Sequence, residues 1–151
     1  MIVIGTASVN NLALIVVALL ILPLLGFTPT SNLLWLPVLM FLTIAFATGL
    51  GLFIGTLNVF MRDVGQVIPI VLQFWFWFTP IVYPVTIIPT HLKQFLVLNP
   101  IVPLVEGYQN VLVYGKAPPQ GLVEVAIVSA VLLAISMLVF RRASSEMVDV
   151  L

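Results

Sequence analysis

The chain has 151 residues, 62% of them hydrophobic and only 7% charged, with a mean hydropathy of +1.29. Globular domains average about a quarter charged residues, so this chain lacks the polar surface to clothe a water-soluble core and reads as an integral membrane protein whose first partner is the lipid bilayer. Five basic residues balance five acidic ones, leaving no electrostatic case for nucleic acid, and the absence of cysteine removes disulfides, thiolate metal sites and cysteine nucleophiles.

Leu12 to Leu25 carries no polar side chain, and the first charge in the chain is Arg62. A secretory leader wants a basic start and a small-residue cleavage site, and neither is present. Val9 to Phe27, about 28 Å at 1.5 Å per residue, is therefore expected to be a first transmembrane helix. The turn-forming cluster Thr28-Pro-Thr-Ser-Asn32 folds the next helix back on it. Leu33 to Val59 is charge-free, longer than a roughly 30 Å hydrocarbon core requires, and expected to tilt. Ala47, Gly51 and Gly55 recur every four residues along it, a period that marks a helix-packing seam unless it reflects only the general frequency of glycine in membrane helices.

Asn58-Val-Phe-Met-Arg-Asp63-Val-Gly-Gln66 then interrupts the apolar sequence with a charged pair. A loop at the membrane surface accommodates such a pair far more cheaply than the membrane interior does. Val64 to Val82 is expected as the third span, with Pro69 near its start and the run Phe74-Trp-Phe-Trp-Phe78 in its second half. Five consecutive aromatics cover every side of a helix. They form either an interfacial belt with core packing or, on the inward side, a platform for a sliding apolar or sugar-containing substrate.

Prolines 84, 89, 100, 103, 118 and 119 divide the next stretch into pieces too short to cross a bilayer, so residues 90–113 are expected as a re-entrant or interfacial hairpin. Asn99 followed by Pro100 has the form of an N-cap with proline at the first helical position. Glu106 falls within the helix so started, as a functional intramembrane charge or a solvated interfacial one. The last span is expected over Gly121 to Phe140, with Glu124 in its first turn and the basic pair Arg141-Arg142 just beyond its end. The fold class is thus an all-α polytopic helix bundle forming one domain over residues 1–151. By parity Arg62 and Arg141-Arg142 share a side, and its slight basic excess makes that side cytoplasmic.

Three stretches, taken in order, resemble one family: the permease subunits of ABC-type exporters of polysaccharides and polyol phosphates. Phe60-Met-Arg-Asp63 with Gln66 is similar to the family's arginine-aspartate loop. Thr79-Pro-Ile-Val-Tyr-Pro84, Pro89, Leu98-Asn-Pro100 and Val105-Glu-Gly-Tyr108 resemble its external re-entrant hairpin, and Phe140-Arg-Arg142 through Asp149-Val-Leu151 its cytoplasmic tail. The resemblance implies a homodimeric pore in the bacterial cytoplasmic membrane, paired with an ABC ATPase subunit and moving a polysaccharide or lipid-linked glycan outward. Arg62, Asp63 and Gln66 would belong to the cytoplasmic gate, with a simple topology anchor as the alternative for the charged pair. Phe74, Trp75, Trp77 and Phe78 would line or buttress the passage, and Asn99, Pro100, Glu106 and Tyr108 would shape its external mouth.

Family members usually have six spans, so the chain is expected to begin at the third, from an internal start or as a fragment of a longer gene product. Gln109 stands where members often carry arginine. No Walker-type phosphate loop, metal cluster or cofactor motif occurs, so ATP hydrolysis is expected on another chain. The competing expectations are an intramembrane enzyme, for which one histidine and scattered acids are poor equipment, and a truncated, non-transporting scaffold or assembly subunit.

Overall fold

A charge-free apolar run in lipid must satisfy its backbone internally, which makes helix the only economical choice for segments of this composition. The computed structural model describes residues 2–26, 31–81, 96 and 99–148, and every element among them is helical. Helix α1 spans Ile2–Ile21 and passes into a 3-10 turn, Leu22–Leu25, closed by Gly26 at φ 88°, a left-handed conformation that glycine adopts without steric cost. A second 3-10 turn, Ser31–Trp35, leads through Pro37 into α2, Leu36–Phe60, so the proline sits in the first turn, where no partner for its missing N–H exists. Helices α3 (Val64–Phe78), α4 (Ile101–Leu112) and α5 (Leu122–Val148) follow.

Two segments, Ser31–Phe60 and Leu122–Ala143, are long and apolar enough to cross a membrane, whereas Val9–Leu24 and Val64–Phe78 are shorter apolar helices. The expected third span therefore ends early: α3 stops at Phe78 because the Thr79-Pro80 pair cannot continue it, and Thr79 is already extended at ψ 129°. The last helix is longer than expected, continuing past Phe140 to Val148, so Arg141 and Arg142 lie inside it rather than beyond its end. Residues 28–30 of the expected turn Thr28 to Asn32, and residues 90–95 and 97–98 of the expected hairpin 90–113, fall outside the described residues, as do Tyr83, Pro84 and Pro89 before it.

The framework is the pair α2 and α5. Leu36, Leu39 and Leu42 share one buried cluster with Leu122 and Val125, while further along Gly49 lies beside Leu132 and Leu133. Ser136 Oγ donates to the Gly49 carbonyl at 2.7 Å. The two helices consequently run parallel, and the Arg62-Asp63 loop that follows α2 lies at the same end of the bundle as Arg141-Arg142. Helix α1 contributes Ile15 and Leu19 to the edge of the same cluster.

Close approach within this pair is made by Gly49, not by the Ala47, Gly51 and Gly55 stripe. A Cβ at Gly49 would meet the Leu133 backbone nitrogen at 3.1 Å, whereas one at Gly51 or Gly55 would meet nothing within 4 Å. The reason is angular: Gly51 lies about 200° around the helix from Gly49, so the four-residue stripe faces away from α5 and is exposed.

Helices α3 and α4 each lie along half of α2. Asn58 Oδ1 accepts from the Gly65 N–H at 2.7 Å near the end of α2, and Phe46 meets Trp75 edge to face at 6.4 Å near its middle. From there α4 runs back toward the start of α2. Its Tyr108 hydroxyl pairs with Thr43 Oγ1 at 3.3 Å, and the Gly115 carbonyl, freed by a left-handed φ of 60°, accepts from Asn32 Nδ2 at 2.6 Å. At 1.5 Å per residue α3 and α4 are about 22 and 18 Å long, each too short for a roughly 30 Å core, while together they match the length of α2.

Candidate functional site at the junction of α3 and α4

The two short helices meet beside the middle of α2, where a chain that leaves one helix and enters another exposes backbone groups that lipid cannot satisfy. Side chains from both sides close this break. The Trp75 indole N–H donates to Asn99 Oδ1 at 2.9 Å, Asn99 Nδ2 donates to Thr79 Oγ1 at 3.0 Å, and the Thr79 hydroxyl donates to the Trp75 carbonyl at 2.9 Å. Three side chains are thereby tied into a ring across more than twenty residues of sequence. Asn99 Oδ1 also accepts the Ile101 N–H at 3.1 Å, a side-chain bond to the first residue of α4, whose N-cap is Pro100, one residue later than expected.

The ring fixes the orientation of the Asn99 amide. Trp75 Nε1 and the Ile101 backbone can only donate, so the oxygen must face them, and the nitrogen is left to face the one group that can accept, Thr79 Oγ1. Thr79 is 2% exposed and Pro80 is fully buried, which places this break inside the protein.

Trp75 stands apart from its aromatic neighbours. It is half-buried, held by Phe46 on one side and Asn99 on another, while Phe74, Phe76, Trp77 and Phe78 are all exposed. The edge-to-face pairing of Phe76 with Trp77 runs along the exposed surface. One ring of the five therefore belongs to the junction and four face outward from this chain.

The other expected site residues fall into separate groups. Arg62, Asp63 and Gln66 are exposed at the end of the bundle remote from α4. Asp63 caps α3 through its backbone, its carbonyl accepting from Gln66 and Val67, rather than through its carboxylate. Glu106 and Tyr108 are partly buried on α4, above the junction, and Gly107 between them fits so closely to Leu39 that an added Cβ would come within 2.7 Å of its Cδ2. Asn99 thus joins Trp75 of the aromatic run, whereas Arg62 and Asp63 lie at the other end of α3.

Sequence reasoning overlooked Phe46, Thr43 and Thr79. Thr79 carried a usable signal, being a lone hydroxyl at an aromatic helix end before proline; Phe46 carried none, since nothing distinguishes it from the apolar residues around it. The spacing of Ser129 and Ser136, two turns apart on one face of α5, also marked the face that meets α2.

The sequence matches the ABC-2 type transporter family over residues 2–113, a region that contains α1 to α4 and the junction. It is similar to the O-antigen export system permease protein RfbA of Myxococcus xanthus, with 29% identity over 93% of this chain and 57% of that protein. A permease of the same name from Klebsiella pneumoniae shares 22% identity over 83% of this chain and 49% of its own length. The chain thus spans about half the length of the curated relatives it matches.

Proposed function

Because the chain belongs to the ABC-2 type transporter family, we propose that it acts as the permease subunit of an ATP-driven exporter that moves a polysaccharide, lipid-linked while it crosses, through the bacterial cytoplasmic membrane. The family match carries this reading, and the names of the relatives supply the substrate class. ATP hydrolysis resides on a separate ABC ATPase subunit, and the permease supplies the path.

The broken pair α3 and α4 gives the path its form. In this reading α2 and α5 cross the bilayer, α1 and α3 complete four spans, and α4 is the returning half of a re-entrant hairpin. Irregular backbone at membrane depth persists only where protein or water covers it, which suits a junction beside a passage. The exposed rings of α3 and the half-buried Trp75 offer stacking surfaces to sugar rings, while Glu106 and Tyr108 stand nearer the outer mouth.

Arg62, Asp63 and Gln66 serve as the cytoplasmic gate, where a guanidinium can meet a phosphate-bearing head group by charge-assisted hydrogen bonds. The parallel course of α2 and α5 supports a common side for this loop and Arg141-Arg142. The exposed Ala47, Gly51 and Gly55 stripe fits a second copy of the chain and hence a homodimer.

Replacing Arg62 with alanine in the gene's own cell tests the gate. Loss of a charged contact of about 2 kcal/mol lowers surface glycan by more than tenfold. Membrane insertion should persist, as followed by membrane fractionation and immunoblotting. Unchanged surface glycan at normal protein level removes the gate role.

A further inference from the structure

We propose that Asn99 is a positioning residue for the Trp75 indole: its carboxamide selects one orientation of the inward ring and holds it toward the passage. This rests on the reading of Trp75 as part of the glycan path, and it goes beyond the bond that Asn99 accepts from the first residue of α4.

Capping alone needs one acceptor oxygen and a short side chain, which serine or aspartate supplies as well as asparagine. Here both acceptor positions of Oδ1 are used, one by Ile101 N–H and the other by Trp75 Nε1, and the amide nitrogen is committed to Thr79. Only a carboxamide in this orientation makes all three bonds. Aspartate lacks the donor, and serine lacks the reach to span from the start of α4 to the indole.

The indole is fixed at two points. Phe46 packs against it at an interplanar angle of 83°, and the Nε1 bond removes the remaining freedom to turn about the ring's attachment. The Thr79 hydroxyl closes the loop onto the Trp75 carbonyl, so the backbone that carries the ring is held by the same amide. A sugar ring stacks productively only on an aromatic face presented at a set angle, and immobilising that face beforehand lowers the ordering cost of each encounter.

The test uses the full chain in phospholipid nanodiscs, with Trp35→Phe and Trp77→Phe leaving Trp75 as the reporter, and a parallel export measurement in cells. Asn99→Ser keeps a capping oxygen and gives up the indole. It should lower the fluorescence anisotropy of Trp75 and reduce surface glycan roughly fivefold, the factor expected for one hydrogen bond. Trp75→Phe, which keeps a six-membered ring but loses the pyrrole ring with its N–H donor, should reduce surface glycan at least as far, and the double variant should be no worse than Trp75→Phe alone. If Asn99→Ser does not accumulate in the membrane, Thr79→Val, with Thr79→Ser as its rescue, makes the same measurement from the other side of the ring.

Unchanged Trp75 anisotropy in Asn99→Ser overturns the proposal, as does a double variant whose loss is the product of the two single losses. Lowered anisotropy with normal surface glycan in both single variants leaves Asn99 as the residue that positions Trp75, and what fails then is the placement of Trp75 on the glycan path.

Discussion

Helices α2 and α3 follow each other in sequence, are both strongly apolar, and behave in opposite ways. Along α2, Leu36, Leu39, Leu42, Phe46, Gly49 and Thr56 are buried, while α3 buries none of its fifteen residues. Apolarity cannot explain the difference, because lipid tails are as apolar as leucine and provide no drive to bring helices together. What α2 has is relief in its surface: a gap at Gly49 into which the α5 backbone fits, flanked by leucines that fill the space on either side. Helix α3 has bulk all round its second half and meets its neighbours mainly at its two ends, through Gly65 and Trp75. The α2 and α5 pair is thus a fixed frame, and α3 is a rod pinned at both ends.

The strongest way to break that contrast is to fill the gap. Gly49→Leu places a side chain where even a Cβ would lie 3.1 to 3.3 Å from Leu132 and Leu133, so the helices must separate and the Ser136 bond is lost. A cost of about 3 kcal/mol is expected, at the upper end for an overpacked interface. The identical change at Gly51 should leave the fold of one chain within about 0.5 kcal/mol, since nothing stands within 4 Å. Unfolding in detergent, followed by circular dichroism, compares the two. Equal destabilisation would mean that the frame does not depend on close approach at Gly49. Gly51→Leu should instead weaken self-association in a cross-linking assay, if the stripe it belongs to meets a second copy.

At the pinned end of α3, Thr79→Val removes one acceptor and one donor while keeping shape. Two buried hydrogen bonds are lost, Asn99 Nδ2 is left without its acceptor, and about 1 to 2 kcal/mol should go with them. Because the junction joins α3 to α4, the loss should appear as faster hydrogen exchange in the first turn of α4 rather than in α2. Exchange that rises equally in α2 would show that α3 is part of the frame after all.

The contrast also shows what was legible beforehand. Helical structure, the approximate spans of α2 and α5 and the helix restart next to Asn99-Pro100 were readable because each has a local cause in hydropathy or proline geometry, whereas the end of α3 at Thr79-Pro80 was passed over in favour of a span reaching Val82. The face on which α2 packs was misleading, since a regular small-residue period drew attention to Ala47, Gly51 and Gly55 while a lone glycine made the contact. Which small residue is used depends on the partner helix, and α5 lies more than seventy residues away in sequence. The Trp75, Asn99 and Thr79 ring was hidden for the same reason. Its members were each visible as polar or aromatic exceptions, but their meeting depends on two half-length helices ending at the same level of α2, which no local pattern records. That Arg62 and Arg141-Arg142 share one end was expected from parity, and in the structure it follows from the parallel contacts of α2 and α5 at Gly49.

The finest distinction lies within the frame itself, between two serines on one face of α5. Ser136 Oγ donates to Gly49 across the interface and also lies 2.6 Å from its own helix's Leu132 carbonyl, so its hydroxyl has two acceptors to choose between. Ser129 is equally buried, and its Oγ has no hydrogen-bond partner among the described residues. Serine in a membrane helix gains little from a bond across an interface, on average about 0.6 kcal/mol, because the separated helices also satisfy the hydroxyl locally. Ser136→Ala should therefore cost about that much, and the cost should vanish in a Gly49→Leu background where the interface is already open. Ser129→Ala removes a polar atom that makes no bond and should be neutral or slightly stabilising, by less than about 1 kcal/mol. Paired unfolding measurements on the two alanine variants decide the matter. If Ser129→Ala proves the more damaging, the hydroxyl at 129 is bonded in the membrane, and the α2 and α5 interface is held by polar contacts as well as by the fit at Gly49.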